Sequence, residues 1–197
     1  MEEGIVRVAA GVLLCGLMLA GGSTPGFAGD EAPQERVAAS RAVSAKFAGE
    51  LREALTREMA ASGPIGAVDV CKEVAPKIAA DASARTGWEV GRTSLRTRNP
   101  NNAADAWEAE MLSAFMARKA AGEDPAAMEA WTIVEEGGKT QFRYMKAIPT
   151  ASVCLTCHGT NIDPALRARL DALYPDDAAI GYNEGDIRGA FTITQPM

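Results

Sequence analysis

Cys154-Leu-Thr-Cys157-His158 holds two of the four cysteines of the chain and its single histidine. Two thiols three residues apart in a turn point to the same side, so they can add to the two vinyl groups of one haem. The adjacent His158 then falls under the iron as an imidazole ligand. Two other chemistries use similar spacing. A thioredoxin-like dithiol sits at the start of a helix in a βαβ setting, whereas strand, loop and glycine signals surround this motif. A zinc site could recruit Cys71, Cys154, Cys157 and His158. Neighbouring Cys157 and His158 would rarely both reach one tetrahedral ion, and no second close pair exists. One covalently held haem c is therefore the expected cofactor, with Cys154 and Cys157 as its attachment points and His158 on the iron.

With His158 used, the chain has no second imidazole. An ordinary small cytochrome c takes a methionine from downstream of the motif. The only one here is Met197, the last residue and a poor anchor. Prime-type cytochromes leave the iron open, but they are four-helix bundles, and strand signals in this chain disagree with that fold. Cys71 remains. In "AVDVCKEVAPKIAA" it shares a helical face with Ala67, Val68, Val74, Ala75 and Ile78, which would bury it. A packed, inert cysteine is the ordinary reading of such a residue. Beside a haem with no other histidine, its thiolate becomes the leading distal ligand, with methionine and an open site as the alternatives.

These groups need elements to position them. Val43, Phe47, Leu51, Leu55 and Met59 recur every fourth residue and predict a helix over 35–61. "SGP" at 62–64 ends it, and a second helix over 65–85 should kink or restart at Pro76. Residues 88–98 alternate like a strand, placing Arg92, Ser94, Arg96 and Arg98 on one face. These arginines could pair with haem propionates; a solvated strand face is the plainer alternative. "NPNN" makes a turn, and Asn102 with Asp105 suits the cap of a helix over 103–121, closed by Gly122. A hairpin over 131–148 turns at Gly137–Gly138. It brings Tyr144 close to the Cys motif in sequence, as a pocket candidate or a core tyrosine. Residues 149–162 read as a loop, a short helix follows Asp163–Pro164, and 187–194 form a last strand. The expected class is α+β, with a small antiparallel sheet and long N-terminal helices.

The bulk properties narrow the partners. A net charge of −6 with no basic cluster argues against nucleic acid and against binding to an anionic membrane surface. The apolar run Val8–Ala20 is too short to span a bilayer comfortably, and Gly26 and Ala28 suit a leader-peptidase site. Residues 1–28 thus read as a signal peptide, with an uncleaved anchor as the alternative; 29–34 form a linker and 35–197 the domain. Either way the domain would be periplasmic or otherwise extracytoplasmic. Cleavage would also remove Cys15, leaving an odd three cysteines, which does not suit a disulfide framework.

Six stretches resemble a family of exported c-type haem proteins with a PAS-like fold, exemplified in cyanobacteria. They are "VCKEVAPKIA", "RTSLRTRNPNN", "AWE", "FRYMKAI", "CLTCHG" and "YPDDAAIGYNEGDIRGAF", in the family's order along nearly the whole domain. The resemblance implies unusual His/Cys axial ligation, with His158 as one ligand and Cys71 as the other. It also implies a PAS-like domain, here 35–197, and raises the interest of the "RNPNN" segment, 98–102, as pocket wall. Three roles then compete. A redox or ligand sensor would release Cys71 on reduction and admit CO or NO, and would need a separate output partner. A plain electron carrier would keep its ligands and dock a redox partner protein. A haem peroxidase would want an open distal side with acid–base help, which a chain without a second histidine supplies poorly, so no enzyme is expected.

Overall fold

The apolar stripe of the N-terminal segment folds as a long helix. In the computed structural model, which describes residues 31–197, α1 spans Glu31–Asp69. The leader expected over 1–28 lies outside the described residues. Glu31–Gln34, expected in a linker, are already helical; Pro33 falls in the first turn, where its missing N–H costs nothing. The break expected at "SGP" is a kink at Gly63, with φ 67° and ψ −171°, followed by Pro64. Glycine reaches this positive φ without the penalty a side chain would incur.

Pro76 shapes the junction between α1 and the next helix. A proline ring clashes with the carbonyl four residues back in a continuous α-helix. Here the turn before it widens. Val70–Val74 is a π-turn, with the Ala75 N–H donating to the Val70 carbonyl, and α2 then runs over Ala75–Thr86 with Pro76 in its first turn. Cys71 sits in the widened turn. Such π-bulges often mark functional positions.

Strand β1 is shorter than the alternation suggested, covering only Glu89–Thr93. Ser94 then bonds the carbonyls of Arg96 and Arg188 through its hydroxyl, which bends the chain off the strand. Arg96 and Arg98 are therefore not on a strand face. Helix α3, Ala106–Ala120, is capped by Asp105 and not by Asn102. Asp105 accepts from the Glu108 N–H while Glu108 reaches back to the Asp105 N–H. Strands β2, Glu129–Glu136, and β3, Lys139–Pro149, make the expected hairpin. In place of a plain loop at 149–162, a 3-10 turn at Ser152–Cys154 leads into α4, Leu155–His158. Helix α5 spans Pro164–Leu173 behind an Asp163 cap, and β4 spans Ile187–Pro196.

The sheet is antiparallel throughout, in the order β1-β4-β3-β2, so the fold is the expected α+β. Alternation divides its two faces. Phe142, Tyr144 and Ile193 meet Phe47 of α1 and Ile78 of α2 on one side. Met145, Ala147 and Ala190 meet Leu112 and Phe115 of α3 on the other. A third cluster pins α5 to the end of α1 through Leu166, Leu170 and Val68, with Cys157 at its margin. None of the described helices is long and apolar enough to cross a membrane.

Candidate haem pocket

The helical turn of α4 places Cys154 and Cys157 on one side, as residues three apart on a helix share a face. Both line a single pocket with His158 and Cys71. Gly159 closes α4 tightly: a Cβ there would lie 2.5 Å from the Leu155 carbonyl oxygen. The turn is then strapped to the 177–182 segment. Gly181 N–H donates to the Gly159 carbonyl at 2.9 Å, and Tyr182 N–H to the His158 carbonyl at 2.9 Å.

This strap also orients the imidazole. His158 Nδ1 lies 2.6 Å from the Ala179 carbonyl oxygen, so Nδ1 carries the proton and Nε2 keeps its lone pair for a metal. Burial, then Arg188 and Arg98, hold the imidazole well below its ordinary pKa, so it is neutral. The Tyr182 ring meets it edge-on, 6.3 Å between centroids.

Arg98 organises the wall behind the motif. Its side chain is 6% exposed and pairs at 2.9 Å with Asp177, which is 0% exposed. Its Nη2 also donates to the Cys157 carbonyl at 2.6 Å. Asp177 in turn accepts from the Ala179 N–H at 2.9 Å. One buried ion pair thus holds both the attachment turn and the carbonyl that orients His158.

Of the propionate candidates, Arg92 and Arg98 line the pocket, but Arg98 is committed to Asp177. Arg92 lies 5.7 Å from the Phe47 ring centroid and is largely buried, which lowers its pKa. Arg96 points elsewhere. Its guanidinium bonds the carbonyls of Ala178 and Ile180 and lies over the Tyr182 ring at 4.5 Å, since the chain has left the strand. Tyr144 is also outside the pocket. It is fully buried in the core, and its hydroxyl donates to Glu129 at 2.9 Å. Tyr144 shares its face of β3 with Ile148, which does line the pocket, but it sits four residues further from the motif, in the core cluster with Phe47 and Ile78.

Two pocket residues had no sequence signal. Arg188 in β4 reaches the pocket because β4 pairs with β1 and β3. Met59, at the end of the α1 stripe, lines the same wall as Leu51 and Leu55; the stripe foretold an apolar surface but not a sulfur in the same pocket as Cys71. Met197, the methionine alternative, is 52% exposed and bonds Thr140 across the sheet.

Burial raises the Cys71 thiol pKa, and Arg92, Arg98 and Arg188 pull it back down. Among the described residues no three His, Cys, Asp or Glu side chains converge on a point that could hold a bare ion, which disfavours zinc. All three described cysteines are free. Two thiols, one oriented imidazole, a thiol on another element, apolar walls and cations suit a haem, whose macrocycle separates its ligands. The free volume is about 170 Å³, below the roughly 300–1,000 Å³ of sites for whole organic ligands.

A family model described as Tll0287-like matches residues 30–196. The crystal structure of the cyanobacterial heme-protein Tll0287 aligns with a TM-score of 0.63 at 27% identity, covering 83% of this chain and 96% of that one. No curated protein matches the chain.

Proposed function

The chain belongs to the Tll0287-like family, and from that premise we propose that it is a c-type haem protein with His158 and Cys71 on the iron, acting as an extracytoplasmic redox and ligand sensor. One observation carries the reading: Cys154, Cys157, His158 and Cys71 line one pocket. The solved relative is itself described as a heme-protein. Bound haem would supply one-electron iron chemistry.

The chain's residues do the rest. Cys154 and Cys157 would hold the haem covalently, each S–H adding across a vinyl double bond to give a C–S and a C–H bond with no net redox change. His158 presents Nε2 because Ala179 holds Nδ1–H. Cys71 would give up its thiol proton on meeting the iron, against the effect of burial and helped by Arg92, Arg98 and Arg188, and its anionic sulfur would then favour the ferric state and a low reduction potential. Reduction of a bound haem would weaken the hold on Cys71. Its release would relax the π-turn joining α1 to α2 and open a place for CO or NO. A separate partner would read the change.

A plain one-electron carrier is the second reading, favoured by Val153. It is 49% exposed at the pocket wall beside Cys154 and could offer an edge to a redox partner. We propose no enzymatic role; turnover of peroxide would contradict this.

The test is electron paramagnetic resonance of the oxidised full chain. Low-spin thiolate features are expected in the wild type and in Met59→Leu, and are lost in Cys71→Ala. An unchanged spectrum in Cys71→Ala removes Cys71 from the iron. CO binding to the reduced protein separates sensor from carrier, since a carrier with constant ligands excludes it.

A further inference from the structure

Beside the cysteine pocket lies a larger cavity of about 480 Å³, lined by α3 and by residues 186–189 at the start of β4. The two cavities share Ser94, Arg188 and Gly189 as walls. Its lining mixes charge and hydrocarbon: Arg96, Lys119 and Arg188 with a single carboxylate, Asp186, beside Leu95, Leu112 and Met116. Lys119 holds Asp186 at 2.5 Å, and Arg96 is spent on backbone carbonyls. Arg188 is only partly used. Its Nη1 donates to Ser94 Oγ at 3.0 Å and to the Arg96 carbonyl at 3.2 Å. Its Nε is buried and has no partner among the described residues. A buried guanidinium nitrogen left unbonded is costly unless a further acceptor arrives. In the same lining Leu95 and Met116 are 45% and 43% exposed.

We propose that this cavity binds a small carboxylate with a short apolar tail. The carboxylate accepts from Arg188 and Lys119, and the tail covers Met116 and Leu95. Three cations against one carboxylate, with exposed hydrocarbon in the same lining, select this chemistry over a neutral or a doubly charged ligand. The site communicates with the first pocket by two routes. Arg188 belongs to both walls, and Tyr182 lines the second cavity while its ring touches the His158 edge. A bound anion neutralises Arg188 and so favours the more positive, oxidised iron. By linkage the oxidised protein binds the acid more tightly than the reduced one. This last step alone rests on the haem reading.

Calorimetry with hexanoate, against hexan-1-ol and acetate at equal ionic strength, tests the site in two forms of the full chain: haem-loaded, and haem-free Cys154→Ala/Cys157→Ala. Hexanoate is expected to bind both forms at about 1 mM or tighter, and the controls at least tenfold more weakly. Met116→Glu, a change at an exposed position, should cost at least tenfold, and Met116→Leu should not. Redox titration of the loaded protein should show a lower potential with hexanoate, and no change in Met116→Glu. Absence of binding, or binding indifferent to Met116→Glu, overturns the proposal. Binding to the haem-free form alone overturns it too, because the cavity would then be the seat of the haem's own propionates. A chain that takes up no haem yet binds hexanoate would refute the haem reading and leave the carboxylate site standing.

Discussion

Removing the charge of Asp177 is the sharpest probe of how the pocket is held. Asp177 is 0% exposed and Arg98 6%, and Asp177 Oδ2 accepts from Arg98 Nε at 3.1 Å and Nη2 at 2.9 Å. Asp177→Asn keeps the shape but strands a buried cation. Breaking such a pair costs about 3–5 kcal/mol, because the leftover charge stays desolvated. For a chain of this size that is a fall in Tm of roughly 6–20 °C. The pair also has a spectroscopic reach. Arg98 anchors the Cys157 carbonyl and Asp177 the Ala179 amide, and the Ala179 carbonyl orients His158. Asp177→Asn should therefore also perturb the low-spin iron spectrum. Urea unfolding of Asp177→Leu, Arg98→Met and their double variant Arg98→Met/Asp177→Leu gives the coupling energy, with Asp177→Asn alongside as the shape-preserving single variant. The double variant should recover most of the loss, since no charge is left unpaired. A single-variant cost under about 1 kcal/mol, as at a surface bridge, or a coupling near zero, would refute the idea that this pair braces the site.

Three further outcomes are expected from the same geometry. Tyr144→Phe loses the bond to Glu129 and should cost about 1–2 kcal/mol in denaturant unfolding with no change in the haem spectrum, because its ring is in the core. Gly159→Ala should lower stability by about 1–3 kcal/mol and reduce the fraction of chain carrying covalent haem on a denaturing gel, since its Cβ would strike the Leu155 carbonyl at 2.5 Å. The Glu129 carboxyl is held below its ordinary pKa by hydrogen bonds from Arg41 and then Tyr144, against the effect of burial. Its contribution to stability is present above the unfolded carboxyl pKa of about 4.3 and is lost as pH falls through the lower folded value. Glu129→Gln should flatten that acid limb in a series of urea melts; an unchanged limb would show that other carboxylates cause it.

Local pattern made much of the scaffold legible. The α1 stripe, the Gly63 break, the Pro76 disturbance and the Gly137–Gly138 hairpin each arise from steric or periodic rules acting within a few residues. Expectation and structure part where a long-range contact overrides local pattern. Alternation alone kept Arg96 and Arg98 on a strand, but the Ser94 hydroxyl bonds Arg188 of β4 and turns the chain away. Nearness in sequence suggested Tyr144 for the pocket, but strand pairing sets it between Trp131 and Ile193 in the core, where Glu129 takes its hydroxyl.

The sequence by itself determined which atoms could hold a haem. A single histidine, a Cys-x-x-Cys-His spacing and one further described cysteine limit the donors by supply, whatever the fold. Only the tertiary structure decided how they are aimed. The Ala179 carbonyl at His158, the Arg98–Asp177 brace and the arrival of Arg188 and Met59 at the pocket join residues 21 to more than 90 positions apart. Such contacts are set by sheet register and chain closure, and no local periodicity records them.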